Sequence, residues 1–139
     1  MAEIKSQADT AMMVAASGMR AQQARMRIIA ENLANASSTS PTPGGDPYRR
    51  QVPIFEPKAV GGGEGVRMSR VEGDRKDFRS TYDPGHPAAN AEGYVQLPNV
   101  DPLIEALDMK EAQRAYEANL NVIETARSME MRTLDLLRK

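Results

Sequence analysis

Met12, Ala15, Met19, Gln22, Met26, Ile29 and Leu33 recur at alternating intervals of three and four residues. That spacing is a heptad seam with one polar interruption, at Gln22, and it predicts a helix from about Asp9 to Asn35. Gly18 weakens such a helix by about 1 kcal/mol relative to alanine, or permits a close approach by a partner. The Ser-, Thr-, Pro- and Gly-rich run that follows Leu33, ending at Gly44-Gly45, stops any helix, and Asn35 suits a left-handed C-terminal position. The seam is long and narrow, and the sequence offers only one other helix to pack against. This favours a two-helix stem over an amphipathic helix lying on its own core.

The second helix has a well-marked start. Asp101 supplies an N-terminal cap and Pro102 occupies the first helical position, where a missing N–H costs nothing. No Gly or Pro follows, so the run reaches roughly 37 residues and about 55 Å. Glu105 and Asp108 near its start, and Arg138 and Lys139 at its end, match the helix dipole. Its apolar residues fall on two stripes. One runs through Ala115, Val122, Ala126, Met129 and Leu136, the other through Met109, Ala112, Tyr116, Leu120, Ile123, Leu134 and Leu137. A helix that pairs with one partner needs one stripe, so two stripes point to neighbours outside the chain.

Between the helices the pattern changes to short alternating runs. Tyr48–Phe55 is a strand candidate with Tyr48, Val52 and Ile54 on one face, and Pro53 puts it at a sheet edge. Val66–Val71 is a second candidate. The Gly61–Gly65 run makes a hairpin of the two, and Gly93–Leu97 is a third short strand. So small a sheet is marginal alone. The expected fold is therefore mainly α: two long terminal helices paired as a coiled-coil-like stem, with a small β-hairpin and loop region between them. The expected segments are 1–35, 36–100 and 101–139.

Composition supports helical ends around a breaker-rich middle. Of 139 residues only 4% are aromatic, none is Trp, and the ten Gly and nine Pro fall mostly between Gly44 and Pro102. Each of the three segments balances its basic and acidic residues, so the one-signed footprint of a nucleic-acid binder or a polybasic membrane segment is missing. There is no Cys, which removes disulfides, thiol catalysis and thiolate metal sites. Met1–Thr10 lacks the apolar core of a signal peptide and no stretch approaches a membrane span. The expectation is a protein without direct membrane insertion that stays in the cytoplasm or leaves it without a cleaved signal. The nine Met fall largely on the seams, where they fill gaps and accommodate non-identical neighbours.

The sequence offers little catalytic or ligand chemistry. Gly61–Gly65 lacks the Lys-Ser/Thr of a phosphate loop and leads into a strand. His86, the single histidine, lies in the turn Asp83-Pro84-Gly85-His86-Pro87. Ser17 sits on a helix without a nucleophile elbow. Asp74 and Asp77, beside Arg75 and Lys76, read as a solvated charged loop. The expectation is no enzyme, no cofactor, no metal and no small-molecule substrate.

Several motifs are more specific. Ser17-Gly18-Met19-Arg20-Ala21-Gln22-Gln23, Arg25-Met26, Ala30-Glu31-Asn32-Leu33-Ala34-Asn35 and Pro47-Tyr48-Arg49-Arg50-Gln51 together resemble the N-terminal signature of the bacterial flagellar rod and hook axial proteins. Tyr82–Ala88, Gly93-Tyr94-Val95, Pro98–Asp101, Arg114–Leu120 and Ser128-Met129 extend the resemblance and point to a rod member. It covers nearly the whole chain apart from 58–79. The departures are mild: Met at 19 and 26 where Leu is common, and Glu31 where a small or polar residue is usual.

The resemblance implies a structural component of the basal-body rod in the periplasm, exported by the flagellar type III apparatus without signal cleavage. Its terminal helices would pack in the inner tube of the rod and transmit motor torque. Its partners would be other rod proteins and copies of itself. On this reading the assembly interface comprises Met12, Met19, Met26, Ile29 and Leu33 on the first helix. On the second it comprises Met109, Tyr116, Leu120, Val122, Ile123, Met129, Leu134, Leu136 and Leu137. The alternatives are a different axial flagellar protein or a secreted helical adaptor outside the flagellum.

Overall fold

The computed structural model describes residues 2–138. Half of the chain is helical and 21% is in strands. Helix α1 spans Ala2–Ala34, followed by strands β1 (Gln51–Val60), β2 (Gly63–Gly73), β3 (Arg79–Tyr82) and β4 (Tyr94–Leu97), and by helix α2 (Pro102–Arg138). The strands form two separate two-stranded sheets, β1–β2 and β3–β4. In the second, antiparallel pairing sets Arg79 opposite Leu97 and Tyr82 opposite Tyr94.

The helix ends follow from local chemistry. Asp101 Oδ1 accepts the Leu103 N–H at 3.0 Å, and its carbonyl accepts the Glu105 N–H at the same distance, so the expected cap is in place. At the end of α1 the expectation fails. Among the described residues only glycines have positive φ, and Asn35 is not left-handed. Its side-chain amide donates to the Glu31 carbonyl at 2.8 Å instead, and its Oδ1 accepts from Ser38 Oγ at 3.0 Å. A side chain that satisfies the last carbonyls makes the left-handed turn unnecessary. The helix also starts earlier than its seam, at Ala2 rather than near Asp9.

The chain divides into two compact units. Residues 1–26, 54–70 and 110–139 form the first, and residues 27–53 and 71–109 the second. In the first unit the tip of the β1–β2 hairpin lies on α1. Thr10 Oγ1 donates to the Gly61 carbonyl at 2.9 Å, and Ser17 Oγ accepts the Val66 N–H at 3.2 Å while donating to the Val14 carbonyl at 2.7 Å.

The glycine run is therefore not one long turn. Gly61 and Gly62 alone make it, both at positive φ (53° and 87°), as a two-residue hairpin connection needs. Gly63 and Gly65 belong to β2 and are small because α1 is beneath them. A Cβ on Gly63 would lie 2.8 Å from Thr10 Cγ2, and one on Gly65 would strike Ser17 Oγ and sit 2.7 Å from Val60 Cγ2.

Within this unit α1 meets α2 where Gly18 leaves room for Asn119; a Cβ there would be 2.7 Å from Asn119 Nδ2. Arg25 Nη2 reaches Glu111 Oε2 at 3.4 Å. Helix α1 thus carries a second covered line, Thr10, Val14, Ser17 and Ala21, beside the single expected seam. A heptad count looks for helix partners and does not register a face of small and hydroxyl residues that receives a hairpin.

The second unit buries Ile28, Ile29, Ala88, Val95 and Val100. Its sheet pairs the expected third strand with β3, whose residues are all exposed. Tyr82 and Tyr94 meet edge to face across the pair, with ring centroids 5.3 Å apart. His86 behaves as a turn residue, its Nδ1 accepting the Ala88 N–H at 3.0 Å.

Candidate functional site

Two features stand out among the side chains: a buried polar lock in the second unit and an uncovered apolar surface on α2.

The lock starts at Asn32, 1% exposed on the last turns of α1. Its Nδ2 donates to the Gln51 carbonyl at 2.9 Å, and its Oδ1 accepts from the Gln51 N–H at 2.9 Å and from Tyr48 Oη at 2.8 Å. One amide thereby fixes the register of the chain entering β1. Burial, with Glu31 and Glu105 adding to it, raises the Tyr48 pKa above the ordinary tyrosine value and keeps the phenol protonated as a donor.

Next along the chain, the Arg50 guanidinium meets three carboxylates. Its Nε bonds Glu105 Oε1, Nη1 lies 3.2 Å from Asp74 Oδ2, and Nη2 lies 3.5 Å from Asp108 Oδ2. Glu105 is fully buried and its second oxygen has no partner among the described residues. Burial favours the neutral form of Arg50, but the bonds from Glu105 and Asp74 outweigh it and raise the pKa above its ordinary value. Asn99 completes the lock: Oδ1 accepts the Arg50 N–H at 2.7 Å, and Nδ2 donates to the carbonyls of Asp74 and Lys76, both at 3.0 Å. Arg49 also donates to those carbonyls and lies over the Phe78 ring at 4.2 Å.

Arg75, Lys76 and Asp77 are exposed, as a solvated charged loop would have them, but Asp74 departs from that reading. Asp74 is a half-buried member of the cluster, and its sequence neighbours gave no hint of Arg50, twenty-four residues back. The Lys76 N–H on Oδ1 lowers the Asp74 pKa below 3.8; burial opposes the shift and Arg50 adds to it. A depressed carboxylate contributes stability above its unfolded value and loses it as pH falls through the folded one. Acid titration of folding is expected to show a loss below about pH 4 that Asp74→Asn flattens, measured by urea unfolding from pH 6 to 3.

The expected interface residues divide by helix. On α1, Ile29 is buried and Met12, Met19, Met26 and Leu33 are half-buried, all covered to some degree within the chain. On α2, Met109, Tyr116 and Ile123 are half-buried, whereas Leu120, Val122, Met129, Leu134, Leu136 and Leu137 are 38–71% exposed. The line that α2 buries runs through Ala112, Ala115, Asn119, Ile123 and Ala126, between the two large-residue stripes. Ala112 and Ala126 are 0% and 6% exposed. Small residues face inward and the large ones flank them. Sequence reading missed Leu103, Ile104, Leu107 and Met131, all exposed, because they lie off its stripes. Among the described residues no helix is long and apolar enough to cross a membrane.

The comparisons with known proteins follow the same division. A family model described as "Flagella basal body rod protein" matches residues 12–40, and one described as "Flagellar basal body rod FlgEFG protein C-terminal" matches residues 91–136. These matches define the class, a structural protein of the flagellar basal-body rod. Asn32 of the lock lies in the first matched segment, and Asn99, Glu105 and Asp108 lie in the second. The chain is 50% identical over 127 residues to the flagellar basal-body rod protein FlgC of Agrobacterium fabrum, covering 90% of this chain and 91% of that one. It is 41% identical over 143 residues to the FlgC of Borreliella burgdorferi (89% and 93% covered). The FlgC of Bacillus subtilis is 38% identical over 140 residues (88% and 93% covered). The chain belongs to the FlgC family of flagellar rod proteins.

Proposed function

We propose that the chain acts as a rod subunit whose two terminal helices pair as a coiled-coil-like stem, and whose lateral and axial contacts with other rod proteins and further copies of itself carry motor torque. The observation behind this reading is the inverted dressing of α2. The helix buries Ala112 and Ala126 and leaves Leu120, Val122, Met129, Leu134, Leu136 and Leu137 uncovered. Exposed large apolar residues in stripes of this kind mark interaction surfaces. Torque is resisted when many such contacts share the shear, so no single residue acts as a catalyst would. The half-buried methionines of α1 suit neighbours that are similar without being identical.

Residence in the periplasmic part of the rod, and delivery by the flagellar type III export apparatus without a cleaved signal, complete the proposal. They rest on the chain's likeness to the axial family. Within this reading the lock of Asn32, Arg50 and Asn99 holds the second unit rigid and has no role in chemistry.

The test is Val122→Asp. Val122 is 45% exposed, so a charge there costs the free protein little, yet it would be buried in an assembled rod. The expected result is soluble, folded protein and cells without rods or motility. Normal motility would overturn the proposal.

A further inference from the structure

In the first unit, α1 and the β1–β2 hairpin enclose a cavity of about 220 Å³. Its covered lining is largely apolar, with Ala21, Val66 and Met68 around the Ser17 hydroxyl that is already bonded to backbone, and the exposed Arg20, Lys58 and Arg67 line it as well. Arg67 is paired with Glu56, while Arg20 and Lys58 have no partner among the described residues. Three cations against one carboxylate leave the rim positive. An anion alone would satisfy the rim and leave the apolar floor wet. A fitting occupant carries an apolar group between two acidic ones.

Helix α2 presents such a group. Glu117, Leu120 and Glu124 follow one another at intervals of three and four, which puts them on one helix face, and all three are exposed. The two carboxylates stand about 10 Å apart along the axis with the leucine between them. This face is turned away from the line Ala112–Asn119–Ala126 that α2 buries, and neither glutamate has a bonded partner among the described residues.

We propose that the cradle of Arg20, Lys58 and Arg67 in one copy receives the Glu117–Leu120–Glu124 stripe of α2 from a second copy. Leu120 meets the apolar floor and the glutamates meet the unpaired cations. The inference rests on the rod-subunit reading and gives one of its lateral contacts a definite chemistry. Opposite charges placed across an interface fix register and reject wrong alignments.

The experiment uses charge reversal in the full chain, expressed in cells lacking the native gene. Arg20→Glu with Lys58→Glu, and separately Glu117→Lys with Glu124→Lys, are each expected to reduce completed basal bodies about tenfold or more. The chain carrying all four changes is expected to recover most of that loss. Unfolding midpoints of the purified proteins establish that each variant folds. The chain has no Cys, so co-expressed Lys58→Cys and Leu120→Cys copies report the contact directly as a disulfide-linked pair containing one of each. Failure of the fourfold variant to recover, or cross-links from position 58 only to a different rod protein, would overturn the inference. Motility that survives deletion of the gene would overturn the rod-subunit reading itself. Loss of motility on deletion, with fully active charge reversals, would overturn the cradle alone.

Discussion

Arg50→Met is expected to destabilise the protein by about 3–5 kcal/mol, the cost of breaking a buried ion pair from one side. Glu105 is fully buried, and among the described residues one of its oxygens lacks a partner and Arg50 supplies the only hydrogen bond to the other. Removing the guanidinium leaves a carboxylate in the interior with nothing to offset its desolvation, beside Asp74 and Asp108 of the same sign. A small domain has about 5–15 kcal/mol of stability in all, so the loss is a large fraction of the total. Arg50→Lys should recover only part of it, because an ammonium is a point charge and does not bond three carboxylates from one plane. Arg50→Met with Glu105→Leu should recover most, since an apolar pair replaces a buried ionic one at little net cost. Urea unfolding of the three variants checks this. If Arg50→Met alone unfolds within about 1 kcal/mol of the parent, the cluster is no more than a surface ion pair.

That cluster marks the limit of what the sequence discloses. Signals that act within a few residues are readable: Asp101 and Pro102 announce α2 because the cap bonds a backbone N–H two residues on. Asn35 shows how such a signal misleads, since the same residue type can end a helix by a left-handed backbone or by a side-chain bond. Long-range demands are hidden. Gly63 and Gly65 read as turn residues although the side chains of α1 are what require them to be small.

Strand β3, Arg79-Ser80-Thr81-Tyr82, has no buried face and hence no alternation to detect. On α2 the period was legible but the sense was not. Hydrophobic size drew attention to Leu120, Val122 and Leu134, while the line facing inward consists largely of alanines. Of the polar lock, Asn32, Tyr48, Arg50, Gln51 and Asn99 are visible in the sequence only as motif residues, and Glu105 and Asp108 only as partners of the helix dipole. Their spacing carries no trace of Asn32 bonding Tyr48 and Gln51, or of Arg50 bonding Glu105.

The end of α2 should show the largest difference between free and assembled protein. Beyond Ala126 about twelve residues of the helix remain, and of these only Glu130 and Thr133 are even half-covered. An isolated helix of that length is marginal in water. In free monomer the amides of residues 130–138 are therefore expected to exchange within about tenfold of unstructured chain, while those around Ala112–Ala126 exchange more slowly. Leu134, Leu136 and Leu137 are 52%, 71% and 58% exposed. Burying what remains exposed of them, at about 1.5–3 kcal/mol per whole side chain, supplies about 3–5 kcal/mol, worth roughly a hundredfold or more in protection. Hydrogen exchange followed by mass spectrometry, on purified monomer and on isolated basal bodies, measures both states. Equal protection of residues 130–138 in the two would mean that α2 holds itself together without neighbours, and its exposed leucines would then need another explanation.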